Sequence, residues 1–457
     1  MSFKNNRSPA LDIMSKRELD FTIFANEIFE ALAKDEELSI LMNAEDSCFI
    51  RFNGAKIRQA GTVEQGNLNL TLFKNKRTIE AKIPFSFDLE NDRSRTLLQL
   101  ENLRLLAKVL PENPYFSALE SRTISSTNND HILPHPEELA DLVLPELQGF
   151  DAAGLISSGP LYRACFTSKG ARHWFATGVC SVDFSIYTPE QKAVKSSYAS
   201  THFDSQAFKL KAQEAKKQIE LLRRPSKEIP RGKYRTYFAP SAITPLVDLL
   251  CWGGFSANAN ASGQCALRKL ASHEKSFSKK LNITEDFSLG LSPRFNDRGE
   301  LMKEKIELIC EGQLKNMLVS EKTAKEYKLV SNNASTSESP SSIVLSGGTL
   351  ANADILKTLD KGLYLSNLHY LNYSDIQEGR ITGMTRYACF WVENGEIVAP
   401  IKDLRFDDSL YNFFSENQLV ALTSQPEIIL SEHTYEARQV GGLKTPGFLV
   451  DDFTYTL

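Results

Sequence analysis

Two histidines, His131 and His135, stand four residues apart and are the first candidates for a metal site in this 457-residue chain. A helix would place side chains at that spacing on one face, where both imidazoles could reach one ion. Pro134 and Pro136 exclude a helix through both histidines, because proline lacks a backbone N–H and clashes with the preceding turn. We therefore predict two solvated loop histidines.

His273 and Glu274 form the next candidate, because a His-Glu pair opens the zinc motifs HExxH and HExxxH. In those motifs the glutamate activates a zinc-bound water, and a second histidine lies one helical turn away. The matching positions hold Phe277 and Ser278, which cannot complete such a site. The polar neighbours at 272–276 predict a surface loop.

Cys251, beside Trp252, could be a thiol nucleophile. A thiol peptidase needs a histidine base nearby, and the sequence does not place His369 next to Cys251. Cysteine is among the most frequently buried residue types. A buried helical cysteine is the favoured prediction.

Composition excludes several classes of protein. A hydrophobic content of 42% and a charged content of 24% are typical of a globular protein, and no apolar run approaches the roughly 18 residues of a membrane helix. The net charge of −4 and the pI of about 6.1 disfavour nucleic-acid binding. The seven cysteines are scattered without C-x-x-C pairs, and the N-terminus has no signal-peptide core. We expect a protein of the reducing cytoplasm that binds neither nucleic acid nor membrane.

Periodicity predicts an α+β fold. A flexible N-terminus at 1–18 precedes an N-terminal α+β lobe at 19–120, with helices at 19–32 and 92–110 around two strand pairs. The second helix carries leucines on one predicted face, at Leu98, Leu103, Leu106 and Leu110. A Ser-, Asn- and Pro-rich linker at 121–136 opens the second lobe.

The second α/β lobe is predicted at 121–225, with helices at 136–147 and 205–224. Asp204 is the candidate N-cap of the latter helix. Its predicted buried face consists of Phe208, Ala212, Ala215, Ile219 and Leu222, spaced four and three residues apart.

A β-rich C-terminal domain is predicted at 230–457. A strand at 234–238 leads into a helix through Leu246 and Leu250, and hairpins follow residue 290, including a return strand at 314–319. Asn394-Gly395 predicts a tight hairpin turn, because a type I′ turn needs positive φ at both central residues. Residues 367–373 are predicted to form a polar and aromatic loop.

The C-terminal part resembles the TldD/PmbA (TldD/TldE) metallopeptidase family. The similarity lies in the order GLYLSNL at 362–368, TGMTR at 382–386, FWVENGEI at 390–397 and Pro400, and extends more weakly from about residue 20 to 457. The family also has an N-S-x-G turn, and the imperfect counterpart here is 167–170. The resemblance implies the fold of that family.

The metal chemistry of the TldD branch is missing from this sequence. In that branch a helix carries HExxxH, and a later cysteine completes the zinc site. The matching positions here are Asp248, Leu249 and Gly253, and no cysteine lies between Cys310 and Cys389. The chain therefore resembles the TldE/PmbA branch, which lacks the motif. The resemblance implies no cofactor in this chain and zinc only in a TldD-like partner.

The resemblance also implies a role. A TldE-like subunit is expected to pair with a TldD-like subunit as a heterodimer, or to form a homodimer, and to line a chamber in which unfolded or leader peptides are cut. The candidates for peptide contact are Asn367, His369, Tyr370, Tyr373 and Arg386.

Two other functions stay open. One is a self-sufficient homodimeric metallopeptidase with non-standard ligands, drawn from Asp248, His273, Glu274 and His369. The other is a stand-alone protein-binding regulator, in line with the family's older label of modulator of DNA gyrase. Metal analysis would separate the first from a silent subunit, and capture of a protein other than a TldD-like subunit would support the second.

Overall fold

The computed structural model describes residues 9–129, 133–430 and 437–456, and within them the backbone forms ten α-helices, twenty strands and three sheets. The helices are α1 Pro9–Glu30, α2 Leu89–Val109, α3 Pro136–Leu147, α4 Ser205–Leu222, α5 Pro240–Cys251, α6 Ala257–Ala261, α7 Arg268–Ala271, α8 Glu321–Tyr327, α9 Ile355–Leu359 and α10 Leu410–Phe413. The mixed α+β architecture confirms the predicted fold class. No helix in these ranges is long and apolar enough to span a membrane.

The first sheet contains every strand before residue 230. Its strands are β1 Glu36–Asn53, β2 Lys56–Lys74, β3 Arg77–Phe85, β4 Ile124–Asn129, β5 Asp151–Thr167, β6 Arg172–Tyr187 and β7 Ala193–Ser200. They lie in the order β3-β2-β1-β5-β6-β4, with β7 also paired to β6. The sheet therefore continues across the predicted lobe boundary at residue 120.

Two N-terminal predictions are corrected by this sheet and its helices. The predicted linker at 121–136 contains β4, a polar strand that pairs in parallel with β6 and receives a 2.9 Å hydrogen bond at Asn128 Oδ1 from Trp174 Nε1. The predicted flexible segment 1–18 is helical from Pro9, where α1 begins. His131 lies outside the described residues, and His135 directly precedes α3.

Helices cover one face of the first sheet at both of its ends. Leu38, Ile40 and Met42 of β1 pack with α1 and α2, whereas Ile50 and Phe52 of the same strand pack with α3 and α4. These five residues share even positions, and side chains alternate between the faces of a strand. Two helix pairs thus share one face, and the other face is left for the C-terminal domain.

The predicted buried face of α2 is wrong in part. Leu103 is buried, but Leu98, Leu106 and Leu110 are exposed. The helix is rotated so that Asp92 and Thr96 are buried instead. Asp92 accepts a hydrogen bond from the backbone N–H of Ser86 at 3.0 Å, which satisfies its buried carboxylate.

The strands after residue 230 form two further sheets. They are β8 Gly232–Phe238, β9 Ile283–Asp286, β10 Lys305–Cys310, β11 Gln313–Leu314, β12 Ser342–Leu345, β13 Gly362–Asp375, β14 Arg380–Glu393, β15 Glu396–Pro400, β16 Arg405–Ser409, β17 Leu419–Leu422, β18 Glu427–Leu430, β19 Gly442–Thr445 and β20 Phe448–Tyr455. The second sheet has the order β11-β10-β9-β12-β19-β18. Its short β11 corrects the predicted return strand at 314–319.

The third sheet closes into a small barrel. Its path β13-β8-β20-β16-β14 returns to β13 through a direct β13–β14 pairing, with β15 and β17 attached at the side. Phe238, Phe406 and Phe453 are fully buried within it, with ring centroids 5.0 Å and 5.2 Å apart. The predicted hairpin turn is confirmed, since Asn394 and Gly395 have φ of 53° and 73° between β14 and β15.

The C-terminal domain docks on the remaining face of the first sheet. Leu161 and Val179 of that face pack against Leu291 and Leu430. Beside them, Arg438 is only 6% exposed and donates to the carbonyl oxygen of Val179 at 2.7 Å. The domain that holds the candidate site is therefore anchored to the long N-terminal strands by apolar and polar contacts.

Candidate functional site

Helix α5 occupies the position of the predicted chemistry. Strand β8 of the barrel leads directly into it, and Pro240 provides a first helical residue with fixed φ. Its buried side includes Ile243, Leu246 and Leu250. The helix ends at Cys251, and Gly253 follows with a φ of +81°, a conformation that glycine adopts without strain.

The three positions that match the zinc motif do not fit a metal ion. Asp248 is exposed, whereas the side chain of Leu249 is 7% exposed and has no ligating atom. Gly253 lies beyond the helix and has no side chain. Across residues 9–129, 133–430 and 437–456 there is no group of three or more His, Cys, Asp or Glu side chains that could hold a metal. We therefore derive no metal-dependent step for this chain.

A large pocket lies on the side of α5 that carries Asp248. Its volume is about 810 Å³, which is within the usual range of ligand pockets. Its walls come from α5, the segment before β12, the end of β18 and the start of β19. The lining residues are Thr244, Val247, Asp248, Cys251, Trp252, Ser339, Pro340, Ser341, Ile343, Ile429, Leu430, Val440, Gly441, Gly442 and Leu443. We call this the α5 pocket.

Trp252 is the one aromatic residue among the described lining residues of the α5 pocket, and 70% of its surface is accessible. Its backbone N–H donates to the carbonyl oxygen of Asp248 at 3.0 Å, so the helical turn extends to this residue. Residues four apart on a helical turn lie on one side. The spacing therefore places Asp248 and Trp252 on the same side of α5, and both residues line the pocket.

Cys251 lines the pocket but is not set up as a nucleophile. Burial raises the pKa of its thiol well above the usual value, and the Asp248 and Glu285 carboxylates raise it further. A thiol in this environment stays protonated at neutral pH. His369 does not line the pocket, so the pairing that a thiol peptidase needs is not formed there.

Glu285 is a buried carboxylate behind the pocket wall. It accepts hydrogen bonds from the backbone N–H groups of Ser341 and Ser342, at 3.0 Å and 3.2 Å, and from the Ser341 hydroxyl at 3.2 Å. Burial raises the pKa of Glu285. The carboxylate fixes the segment that enters β12, and this segment forms one wall.

The predicted contact loop at 367–373 is a strand, which corrects the sequence interpretation. Residues 362–375 form β13, with Asn367 opposite Arg386 and His369 opposite Met384 in β14. The register shifts between His369 and Asn372, and Tyr370 within this bulge has a φ of +53°. Such conformations are uncommon for residues other than glycine and occur often at functional sites.

Three of the five predicted contact residues form one exposed group. Tyr370 is 75% exposed, and its ring centroid lies 4.0 Å from that of His369. Arg386 lies 3.7 Å from Asp403, measured from Nη1 to Oδ2, and its guanidinium covers the Tyr387 ring at 5.2 Å. Burial raises the pKa of Asp403, and the charges of Arg386 and His369 oppose that shift. We call His369, Tyr370 and Arg386 the bulge cluster.

The other two predicted contact residues have structural positions. Tyr373 is partly buried, and its hydroxyl donates to the carbonyl oxygen of Leu249 at 2.7 Å. Asn367 has a buried Oδ1 atom without a hydrogen-bond partner in the structure. None of the five predicted contact residues lines the α5 pocket.

The His273–Glu274 pair lies on the surface. His273 is exposed with a φ of +59°, and the Glu274 carboxylate is 3.8 Å from Lys269 Nζ. The local polar sequence had predicted this position. In contrast, the sequence analysis did not identify Trp252 as a pocket residue or Glu285 as a support of the pocket wall, although an aromatic residue at i+4 from Asp248 was a usable signal.

Comparisons with known proteins identify the C-terminal domain and the fold. The sequence profile of the PmbA/TldA metallopeptidase C-terminal domain matches residues 231–457. Searches of curated protein sequences give no match.

Solved structures resemble nearly the whole chain at low sequence identity. TldE from Thermococcus kodakarensis is 16% identical with a TM-score of 0.73, covering 96% of this chain and 100% of its own. A candidate modulator of DNA gyrase from Bacteroides thetaiotaomicron is 15% identical with a TM-score of 0.75, covering 97% and 99%. A candidate modulator of a DNA gyrase from Thermotoga maritima is 14% identical with a TM-score of 0.71, covering 95% and 100%. At these identities the likeness shows a shared fold.

Proposed function

Because residues 231–457 make this chain a member of the metallopeptidase-related PmbA/TldD family, we propose that it is a metal-free, TldE-like subunit of a peptidase assembly. Its role is to form the interface and part of the chamber wall. Unfolded or leader peptides are cut at the metal of a TldD-like partner in the cytoplasm.

The observation that carries this proposal is the composition of α5. By the resemblance, α5 corresponds to the family's metal helix, and the positions expected to hold its ligands are Asp248, Leu249 and Gly253. The side chain of Leu249 is buried in the core. A glutamate at this position would therefore point away from solvent and could not act as a general base. A chain that keeps the helix without its ligands suits a structural subunit.

The bulge cluster supports a role in contacting extended peptides. Tyr370 has a positive φ in the bulge, and the exposed side chains of this cluster offer both ring surfaces and a cationic group to an extended peptide. Of the five residues predicted from the sequence to contact peptide, three are exposed together. The proposal therefore keeps His369, Tyr370 and Arg386 as contacts. It assigns Tyr373 to the support of α5 and gives no contact role to Asn367.

The self-sufficient metallopeptidase has less support. Asp248 lies at the α5 pocket, His369 on the barrel and His273 in a surface turn, and no three of the suggested ligands form a metal group in the described ranges. In the part of the chain that the structure describes, no observation favours a stand-alone regulator over a subunit. The silent subunit is therefore the function that the geometry supports best.

Co-purification tests the assembly directly. The chain and a TldD-like protein encoded in the same genome are co-expressed with a tag on one of them, and the eluate is sized by gel filtration with light scattering. We expect a stable complex containing both chains. Two separate peaks at micromolar concentration, each without the other chain, would overturn the proposed partnership.

A further inference from the structure

The α5 pocket has an acidic and apolar character that its role as a chamber wall does not require. Asp248 is the one charged side chain among its described lining residues. The rest of the lining is mostly aliphatic, glycine or hydroxyl-bearing. A ligand that matches such walls would carry a positive charge at the end of an apolar stem.

The electrostatic setting is negative on both sides of Cys251. Asp248 faces the pocket from α5, and Glu285 lies behind the opposite wall at Ser341. Both carboxylates raise the pKa of the Cys251 thiol, as expected for a group that experiences their negative potential.

Trp252 adds an aromatic face to this setting. Its indole is largely exposed and stands one helical turn from Asp248. A cation above the face of an indole is attracted by the ring quadrupole, and tryptophan is the strongest of the aromatic residues in this respect. A carboxylate beside an exposed indole therefore favours an ammonium group over a neutral one.

The pocket also fits the stem of a lysine side chain. Val247, Ile343 and Leu443 are among the apolar residues that line the pocket, with only a small part of each side chain exposed. Lysine commonly lays its methylene groups along such surface while its ammonium reaches a polar partner. The volume of about 810 Å³ accommodates one such side chain with its flanking backbone.

We infer that the α5 pocket binds an ammonium group of a peptide, from a lysine side chain or a chain N-terminus, between the Asp248 carboxylate and the Trp252 indole. The inference rests on the proposed function, because it assumes that peptides pass through the chamber. Helix α5, which lacks the zinc motif, would then select among client peptides. Client peptides with a lysine or a free N-terminus at the pocket are then preferred.

Three labelled pentapeptides test the inference by fluorescence anisotropy with the purified chain. The first is acetyl-Ala-Ala-Lys-Ala-Ala-amide, the second has norleucine in place of lysine, and the third is the norleucine peptide with a free N-terminal amine. We expect the lysine peptide, the free-amine peptide or both to bind at least about fivefold more tightly than the capped norleucine peptide. The arm that gains affinity identifies the source of the ammonium group.

Variants locate the effect. Asp248→Asn should remove the preference for the charged peptide, and Trp252→Leu should reduce it about threefold or more, whereas Trp252→Phe should retain part of it. Glu190→Gln, at an exposed carboxylate in the turn after β6, is the matched control and should leave the preference unchanged. Both Asp248 and Trp252 are exposed, so these variants are expected to fold.

Two results would overturn the inference: equal binding of all three peptides to the unmodified chain, or a preference that survives in Asp248→Asn. Complex formation with a TldD-like partner is measured separately on the same samples. If the complex forms and no charge preference exists, the inference fails and the proposed function stands. If the preference exists without a complex, the proposed partnership fails while ammonium binding at α5 stands.

Discussion

Tyr373 and Leu249 connect the barrel to the candidate site, since the tyrosine hydroxyl donates to the leucine carbonyl oxygen at 2.7 Å. Tyr373 belongs to β13 of the barrel and Leu249 to α5. The hydrogen bond is made to the residue next to Asp248, which is one of the residues that line the pocket. The barrel thereby fixes the position of the helix from outside the pocket.

Removing this hydroxyl should lower stability. Tyr373→Phe leaves the ring in place but deletes the hydrogen bond, which should lower the free energy of unfolding by about 1 kcal/mol. Tyr370→Phe is the matched control on the same strand, and because Tyr370 is exposed it should change stability by less than about 0.5 kcal/mol. Urea denaturation followed by tryptophan fluorescence measures both. Equal effects would argue against a supporting role for Tyr373.

Arg438 should be a strong anchor between the two parts of the chain. Its guanidinium donates to the Ser47 hydroxyl at 3.1 Å and to the carbonyl oxygens of Gly159 and Val179 at 3.2 Å and 2.7 Å. Arg438→Met would leave buried acceptors without donors and should cost about 3 kcal/mol or more.

Thermal unfolding of Arg438→Met should therefore begin well below that of the unmodified chain. Arg223→Met, at an exposed arginine in the turn after α4, controls for the loss of charge and should be nearly neutral. If both variants melted together with the unmodified chain, the docking of the C-terminal domain on the first sheet would not depend on Arg438.

Gly159 allows the strands to approach closely at the same junction. Its φ is +139°, and a Cβ atom there would lie 2.0 Å from the carbonyl oxygen of Asp46. Gly159→Ala should thus destabilise the protein by more than about 3 kcal/mol or reduce its soluble yield. Gly61→Ala, at a position with open space around the added methyl group, is the matched control and should be tolerated. Comparable stability of both variants would contradict the packing.

His173 should make stability depend on pH. Burial lowers its pKa, and the charge of Arg294 lowers it further, while the hydrogen bond with the Gly299 carbonyl oxygen acts in the opposite direction. The unfolded chain then binds a proton that the folded chain excludes. This contribution to stability is complete above the unfolded pKa of about 6.5 and decreases as the pH falls through and below it.

The urea midpoint between pH 7.5 and 5 measures the effect. The unmodified chain should lose more stability over this range than His173→Gln, whose side chain can still donate and accept hydrogen bonds but does not titrate. His273→Gln, at an exposed histidine, should follow the unmodified chain. If the urea midpoint of His173→Gln changed with pH in the same way as that of the unmodified chain, His173 would not cause the pH dependence of stability.

Local signals predicted the elements that depend on local interactions. Asp204 accepts hydrogen bonds from the N–H groups of Gln206 and Ala207 at the start of α4, and all five predicted core positions of that helix are buried. The Asn394-Gly395 turn was predicted for the same reason, because its φ values depend on the two residues themselves.

Elements that depend on distant partners were predicted wrongly. The polar strand β4 is held by its pairing with β6, and the bulged part of β13 by its pairing with β14. The buried face of α2 similarly depends on its packing with α1 and the first sheet, which buries Leu100, Leu103 and Ala107. For the site, the resemblance indicated α5 through its missing ligands, and this stays a prediction. The pocket beside α5 requires residues 339–343 and 440–443, which no local pattern links to Asp248.

The proposed metal-free subunit is tested by the zinc content and the peptidase activity of the chain, of a TldD-like partner, and of their complex. A fluorescein-labelled unfolded protein such as casein serves as substrate. We predict no bound zinc and no cleavage for the isolated chain, with one zinc per partner subunit and chelator-sensitive cleavage in the complex. Stoichiometric zinc and cleavage by the isolated chain, lost in His273→Ala or His369→Ala, would contradict the account.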